Sequence, residues 1–125
     1  MIFRIARHTN DLKSLTDFYT GILNFEVLGS FVDHNRYDGV FIGRKELNWH
    51  LEFTTSNKVA AHTFDADDLL VFYPTNSADY HEIVQRIKKN NIQIHRTENP
   101  YWNRNGIMIK DPDGYNIVIS KLKAT

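Results

Sequence analysis

Residues Asp111–Ser120 read DPDGYNIVIS, in which a tight turn containing Pro and Gly leads into a strand of alternating character. A related strand occurs earlier in the chain, at Asn48–Thr54, which reads NWHLEFT. From Trp49 and from Tyr115, the two segments run in the same order: aromatic, polar, aliphatic, variable, hydrophobic, hydroxyl. The same kind of strand is therefore used twice.

Three shorter segments also occur twice, and they follow each other in the same order in both halves. The matching pairs are Thr9-Asn10 with Thr75-Asn76, Phe25–Val27 with Ile92–Ile94, and Gly39–Ile42 with Gly106–Ile109. Because the order is shared, these matches indicate two copies of one module. Each copy is predicted to contain a strand, a helix and three further strands.

Apolar residues recur at helical spacing in each half. The first helix is predicted to begin near Asn10 or Asp11, where a side-chain oxygen can cap free N–H groups, and to end before Asn24. The second is predicted to start after Asn76 or Ser77 and to end in the polar run 88–91. The predicted inward residues are Leu12, Leu15, Phe18, Tyr19 and Ile22 in the first helix, and Tyr80, Ile83, Val84 and Ile87 in the second.

The chain of 125 residues fits a single domain. We predict module 1 at about 1–56, a polar connection at about 57–67 and module 2 at about 68–125. Lys plus Arg and Asp plus Glu both number 15, so no net charge favours nucleic acid or an anionic membrane. No apolar run approaches the ~20 residues that span a bilayer, and no secretory signal precedes the first strand, so we expect a cytoplasmic protein.

The absence of cysteine excludes disulfides, thiolate catalysis and zinc sites built on sulfur. Phosphate-binding loops, dinucleotide fingerprints, nucleophile elbows and His-Glu-x-x-His helices are absent as well. Asp65 and Asp67 lie in the connection and Asp68 at its end, and all three are expected to be solvated.

Paired βαβββ modules with the segments Asn10–Tyr19, His50–Phe53 and Asp111–Gly114 resemble the vicinal oxygen chelate superfamily, which includes glyoxalase I, extradiol dioxygenases and bleomycin- and fosfomycin-resistance proteins. Asp68–Tyr73 and Asn99–Trp102 are similar to a glyoxalase-like branch of unknown function. The resemblance implies an α+β fold in which two βαβββ modules form a curved mixed sheet around a shared cavity, with the helices outside, commonly in a homodimer. It does not imply a particular reaction.

The resemblance also implies four metal-ligand positions, in the first and last strand of each module. They correspond to Arg4, Glu52, one residue of Leu69–Phe72 and Val118, and the register at 69–74 is open. Only Glu52 can coordinate a cation, so we expect no metal in the standard position. A relocated divalent metal held by His8, His50 and Glu52 is the alternative, since imidazole and carboxylate suit first-row metals.

An arginine at a metal-ligand position suggests that Arg4 pairs with Glu52 and supplies positive charge itself. The pair either neutralises charge with little net stabilisation, or leaves one edge of the guanidinium free for a ligand carboxylate or phosphate. Glu52 as a base, or His50 as an acid–base group, would then be the catalytic residues if the chain is an enzyme, of lyase, isomerase or dioxygenase type. Whether it is an enzyme stays open.

The adjacent aromatics Tyr101 and Trp102 follow an Asn-rich turn before a strand. They close the core or a dimer contact, or they form an aromatic wall for a planar or cationic ligand. The predicted ligand-binding residues are Arg4, His8, His50, Glu52, Tyr101 and Trp102. We therefore expect a protein that binds a small anionic or oxygenated molecule without the standard metal, with no nucleic acid or membrane partner. Sequestration of a drug is an alternative role.

Overall fold

The computed structural model describes residues 1–124, which divide into two compact units, one of residues 1–62 and one that begins at Thr63. Both units combine strands with helices, which confirms the predicted α+β class. The elements in chain order are β1 (Phe3–His8), α1 (Leu12–Gly21), β2 (Glu26–His34), β3 (Tyr37–Gly43), β4 (Trp49–Thr55), β5 (Leu69–Phe72), α2 (Ser77–Lys89), α3 (Pro100–Asn105), β6 (Gly106–Lys110) and β7 (Asn116–Ser120).

The first unit contains a four-stranded sheet in the order β1-β4-β3-β2. β1 runs parallel to β4, and the remaining neighbours are antiparallel. The helix α1 covers one face of this sheet: the Tyr19 ring stacks on the Phe53 ring with centroids 5.2 Å apart. Leu15, Tyr19 and Ile42 are fully buried there. Because side chains alternate along a strand, the residues that flank Phe53 on β4 point to the opposite face.

The first helix begins as its sequence predicts. Asp11 is the N-cap, and its carboxylate accepts hydrogen bonds from the Ser14 backbone N–H at 3.0 Å and from the Ser14 hydroxyl at 2.6 Å. The bond from the hydroxyl, followed by the bond from the backbone N–H, lowers the pKa of Asp11. An ionised cap is thus favoured in the folded chain.

Changing Asp11 to asparagine is expected to keep the cap but remove its pH dependence. Because the folded-state pKa lies below the ordinary value of 3.8, the stabilisation by ionised Asp11 is complete above that value and is lost as the pH falls through the lowered pKa. Carboxyl groups ordinarily titrate near about pH 4. Below that pH, the free energy of unfolding measured in urea should therefore fall less steeply with decreasing pH in Asp11→Asn than in the unmodified chain.

The matched control is Asn76, the N-cap of α2, whose side chain accepts from the Asp79 backbone N–H at 2.9 Å. Asn76→Asp converts a neutral cap into an ionisable one, so it should make the acid decline steeper. Equal pH profiles for Asp11→Asn and the unmodified chain would contradict the assignment of this carboxylate as the titrating cap.

The second unit contains a three-stranded sheet in the order β5-β7-β6, with β5 parallel and β6 antiparallel to β7. Every residue of the central strand β7 is buried. The helix α2 contributes buried Ile83 and Ile87, in agreement with the predicted inward face. The helix also begins after its predicted N-cap, Asn76.

The predicted strand at Ile92–Ile94 is wrong. This segment has no strand in the described chain, and only the neighbouring His95 makes an isolated antiparallel bridge to Met108 of β6. The segment after it is also not the predicted Asn-rich turn but the helix α3, with Asn99 as N-cap and Pro100 in its first turn. The Asn99 side chain accepts from the Tyr101 backbone N–H at 3.0 Å, so the residues that favour a turn here start a helix.

The turn before β7 is held by one buried carboxylate. Asp111 is 4% exposed, and its Oδ1 accepts from the backbone N–H groups of Asp113 at 2.9 Å and Tyr115 at 3.1 Å. The Gly114 N–H donates to the Asp111 carbonyl at 2.8 Å. Gly114 has φ of 86°, a conformation that glycine adopts without steric cost. These contacts explain why DPDG directs the chain back into the sheet.

Candidate functional site

Three predicted site residues lie together on the first sheet, on the face opposite α1. His50 and Glu52 are two residues apart on β4, so their side chains share one face. In the parallel register of β1 with β4, Arg4 pairs with His50 and Ala6 pairs with Glu52. The structure therefore brings Arg4, His50 and Glu52 together, as predicted.

The predicted ion pair between Arg4 and Glu52 is confirmed. The Arg4 Nη1 lies 3.8 Å from the Glu52 Oε1, and the two side chains are 50% and 14% exposed. The distance exceeds that of a close charge-assisted hydrogen bond, which is typically about 2.7–2.9 Å. Because Arg4 is half-exposed and this contact involves only Nη1, the guanidinium keeps donor groups that are available to another acceptor.

An aromatic ring completes the surroundings of Arg4. The guanidinium carbon lies 5.6 Å from the centroid of the Phe41 ring, within the range of a cation–π contact. Phe41 stands opposite Glu52 in the antiparallel register of β3 with β4. Phe41 is not among the predicted ligand-binding residues, although its place in the repeated GVFI segment identifies the strand that carries it.

The His50 ring packs edge-on against the same Phe41 ring, with centroids 5.5 Å apart. Gly43 of β3 pairs with His50, and the space between the two residues is small: a Cβ added at Gly43 would lie 3.1 Å from the His50 Cβ. Within residues 1–124, His50 forms no side-chain hydrogen bond that fixes its ring nitrogens. One or both ring nitrogens are therefore available for proton exchange with a ligand.

His8 lies further along the same face but is engaged elsewhere. Its Nδ1 is 2.9 Å from the Thr54 hydroxyl and its Nε2 is 3.1 Å from the Ser56 hydroxyl. The ring also contacts Tyr37 edge-on at 5.7 Å. Both nitrogens thus have hydroxyl partners, and no three His, Asp or Glu side chains in the described part of the chain are grouped as metal ligands. The alternative trio of His8, His50 and Glu52 is not assembled.

The residues at the four metal positions implied by the superfamily do not fit a divalent ion. In the first unit, Arg4 is a permanent cation beside the single donor Glu52. In the second unit, β5 consists of Leu69, Leu70, Val71 and Phe72, and Val71 stands beside Val118, which is fully buried. Hydrocarbon side chains cannot coordinate a metal.

The predicted aromatic residues belong to the second unit, on α3. Tyr101 is 45% exposed, and its ring meets the Trp102 ring edge-to-face at 4.9 Å. The other neighbour of Trp102 is the Tyr73 ring, at 6.3 Å. Tyr101 is open to solvent, and Trp102 is half-buried between two tyrosines. The roles of these two residues in ligand binding stay predictions.

No helix within residues 1–124 is both long and apolar enough to cross a membrane.

Comparison with known sequences gives matches along most of the chain. The YycE-like N-terminal domain matches residues 3–54, and the YycE-like C-terminal domain matches residues 67–121. The uncharacterised protein YycE of Bacillus subtilis is 40% identical over 121 residues, covering 96% of this chain and 87% of that protein. The crystal structure of Bacillus subtilis YycE, a protein of unknown function, superimposes with a TM-score of 0.88 at 38% identity, covering 99% of this chain and 91% of that one.

More distant structures share the fold. The trypanothione-dependent glyoxalase I of Leishmania major has a TM-score of 0.73 at 23% identity, covering 96% of this chain and 85% of that one. A mutant of the fosfomycin resistance protein FosX of Listeria monocytogenes, in complex with Mn(II) and 1S,2S-dihydroxypropylphosphonic acid, has a TM-score of 0.69 at 17% identity, covering 96% of this chain and 90% of that one. The chain therefore belongs to the YycE-like family, and it shares its fold with glyoxalase I and FosX.

Proposed function

We propose that the chain binds a small anionic or oxygenated molecule at the group formed by Arg4, Phe41, His50 and Glu52, without the standard divalent metal. The observation that carries this proposal is the half-exposed Arg4 guanidinium, which lies 3.8 Å from Glu52 and over Phe41 at a position where the superfamily places a metal ligand. A fixed cation here can attract the anionic group that a metal would otherwise attract.

Arg4 and Glu52 can bind two different parts of a ligand and thereby fix its orientation. A guanidinium presents parallel N–H donors that match the two oxygens of a carboxylate or phosphonate. Glu52 is mostly buried at 14% exposure, and a carboxylate can accept hydrogen bonds, so it favours a ligand with a hydroxyl beside its anionic group. Among the structural relatives, FosX is in complex with a dihydroxylated phosphonic acid, a molecule of this chemical kind.

If the group formed by Arg4, Phe41, His50 and Glu52 catalyses a reaction, the chemistry that we propose for it is proton transfer. Glu52 would act as a base toward a ligand hydroxyl or an acidic C–H group, and His50 would give or accept a second proton. A lyase or isomerase needs no more than these two groups and the cation at Arg4 to stabilise the negative charge that develops. The binding-only version of the proposal, sequestration of a drug, uses the same Arg4 contact.

The assembly and location that we propose are a homodimer in the cytoplasm. Arg4 and Ala6 of β1 are exposed on this face of the sheet, and a second copy of the chain can cover them. The site would then have two equivalent copies per dimer.

Arg4→Lys is expected to weaken ligand binding by roughly 1–3 kcal/mol, because lysine keeps the charge but loses the two parallel donors. The ligand is found by thermal-shift screening of small phosphonates, phosphates and hydroxycarboxylates, and its affinity is measured by calorimetry. The matched control is Arg44→Lys, since Arg44 forms a comparable pair with Glu46 at 3.9 Å. A large loss of stability in Arg4→Lys with unchanged affinity would show that Arg4 is a structural partner of Glu52.

The purified protein is expected to contain no stoichiometric divalent metal, because Arg4 and Val118 replace two ligands and β5 supplies only hydrocarbon. Native mass spectrometry combined with metal analysis measures this directly. Near-equimolar nickel, zinc, iron or manganese that disappears in both His50→Ala and Glu52→Ala would contradict the prediction. Such a result would restore the relocated metal site.

A further inference from the structure

Two hydroxyl groups flank the His8 ring at one end of the first sheet. His8 is the last residue of β1, Thr54 lies beside it in the parallel register of β1 with β4, and Ser56 directly follows β4. All three residues are half-buried, so the group lies at the surface of the first unit and not in its core. The binding group proposed around Arg4 does not use the hydroxyl of Thr54 or of Ser56.

The hydrogen bonds give the two hydroxyls different roles. The His8 Nδ1 lies 2.9 Å from the Thr54 Oγ1, and the Nε2 lies 3.1 Å from the Ser56 Oγ. The Lys58 backbone N–H already donates to the Ser56 Oγ at 3.2 Å. The Ser56 hydroxyl can therefore give its own proton to Nε2, which places the ring proton on Nδ1, where it is donated to Thr54. In this tautomer, His8 is an acceptor toward Ser56 and a donor toward Thr54.

These contacts have the geometry of an activated nucleophile. A serine hydroxyl reacts readily only when an adjacent base takes its proton, and the base in turn is oriented by a third group. The 3.1 Å between Ser56 and His8 falls within the range of about 2.6–3.2 Å for such a pair. Thr54 occupies the orienting position. Since a neutral hydroxyl stabilises an imidazolium less than a carboxylate does, the reaction that this group supports is slow and needs a good leaving group.

The loop that carries Ser56 is held against the segment that follows β1. The Asn10 side chain makes two bonds to Ala60: its Nδ2 donates to the carbonyl at 3.2 Å, and its Oδ1 accepts from the N–H at 2.8 Å. The Thr9 N–H donates to the Thr54 carbonyl at 2.8 Å. These bonds fix the loop on both sides of Ser56, so the serine is kept within reach of the His8 ring before any substrate arrives.

We propose that Ser56 is a nucleophile that His8 activates, and that it accepts an acyl group from a small carboxylic ester. The Ser56 Oγ attacks the carbonyl carbon, and its proton passes to the His8 Nε2. The bond from that carbon to the alcohol oxygen breaks, and the alcohol leaves with the proton. Water then attacks the acyl carbon and gives a proton to His8, the bond to Oγ breaks, and the proton returns to Ser56. The net reaction is hydrolysis of the ester to an acid and an alcohol.

The test uses p-nitrophenyl acetate, an uncharged ester that does not need the Arg4 site. The full-length protein is expected to release a burst of p-nitrophenol, and mass spectrometry of acid-quenched peptides should find the acetyl group on Ser56. Ser56→Ala and His8→Gln should each lower the rate of acetylation at this position by about 100-fold or more, the lower range for a general base. Ser30→Ala removes an exposed serine of β2 and should change nothing. Acetylation elsewhere with none at Ser56 would overturn the proposal.

A thiol tests the pairing with His8 without an ester. The chain has no cysteine, so Ser56→Cys introduces a single thiol whose alkylation by iodoacetamide can be followed alone. At pH 7 this thiol should react about 10-fold faster than the thiol of the matched control Ser30→Cys, because a neighbouring histidine raises the thiolate fraction. Adding His8→Gln to Ser56→Cys should remove the difference. Equal rates for the two thiols, with both variants folded by circular dichroism, would overturn the activation by His8.

Two substitutions separate the hydroxyl of Thr54 from its packing. Thr54→Val keeps the shape of the side chain but loses the hydroxyl, and it should slow acetylation of Ser56 by about 3–10-fold, the scale of one hydrogen bond. Thr54→Ser keeps the hydroxyl and should restore most of the rate. If Thr54→Ser is as slow as Thr54→Val, or if neither differs from the unmodified chain, Thr54 does not orient His8 and the proposed arrangement is wrong.

Discussion

Replacing Tyr19 by alanine is expected to lower the free energy of unfolding by about 3–5 kcal/mol, the range for removing a large aromatic side chain from a core. Tyr19 is fully buried, stacks on Phe53 at 5.2 Å and meets Phe18 edge-on at 5.0 Å. It therefore joins α1 to the sheet face opposite the one that carries Arg4, and its loss leaves a cavity between them. Urea unfolding followed by circular dichroism measures the change.

Tyr73→Ala is the matched control, because Tyr73 is 43% exposed. Its loss is expected to cost less than about 1 kcal/mol, as for most surface substitutions. A second variant, Tyr19→Phe, keeps the ring and should lose much less than Tyr19→Ala. A cost for Tyr19→Ala as small as that of Tyr73→Ala would mean that α1 does not depend on this contact for its attachment.

Replacing Asp111 by alanine is expected to cost about 2–4 kcal/mol, because it removes a buried acceptor from two backbone N–H groups, each costly to leave unpaired. Those groups belong to Asp113 and Tyr115, at 2.9 and 3.1 Å from Oδ1. The loss should be seen as a lower urea midpoint for the whole chain or for the second unit alone. The turn then no longer positions the start of β7.

Two variants calibrate this effect. Asp111→Asn keeps one side-chain oxygen and should retain more than half of the stability that alanine loses. Asp65→Ala removes a similar turn contact, since the Asp65 Oδ1 accepts from the Asp67 N–H at 2.8 Å, but this loop is exposed. It should cost less than about 1 kcal/mol, because water replaces the lost acceptor. Equal losses for Asp65→Ala and Asp111→Ala would reject burial as the cause.

The sequence predicted those parts of the fold whose signals are local. N-caps at Asp11 and Asn76, and apolar residues at helical spacing, gave the starts of α1 and α2. The two-residue period of His50 and Glu52 gave their shared face, and the resemblance to a family placed Arg4 next to them. A period is a property of residues that are close in sequence, so it can be deduced without the tertiary structure.

The errors lie where two short signals compete. Ile92–Ile94 alternates like a strand but finds no continuous partner, because pairing beyond His95 is not formed along β6. Asn99 and Pro100 were interpreted as turn residues, although Asn at the N-cap with Pro after it is also a signal for a helix start. A helix of six residues shows too little periodicity to decide between them.

The strand β2 is an outer edge of the first sheet, and its backbone has consequences for aggregation. Its pairing with β3 changes register between Val27 and Gly29 and again between Phe31 and His34. Between these two shifts, only Gly29–Phe31 pair in a continuous register. A strand from another molecule could therefore form regular backbone hydrogen bonds with β2 only over a short stretch, because each shift changes the spacing of donors and acceptors. The exposed apolar side chains of Val27 and Val32 therefore lie on an edge that resists extension into a fibril.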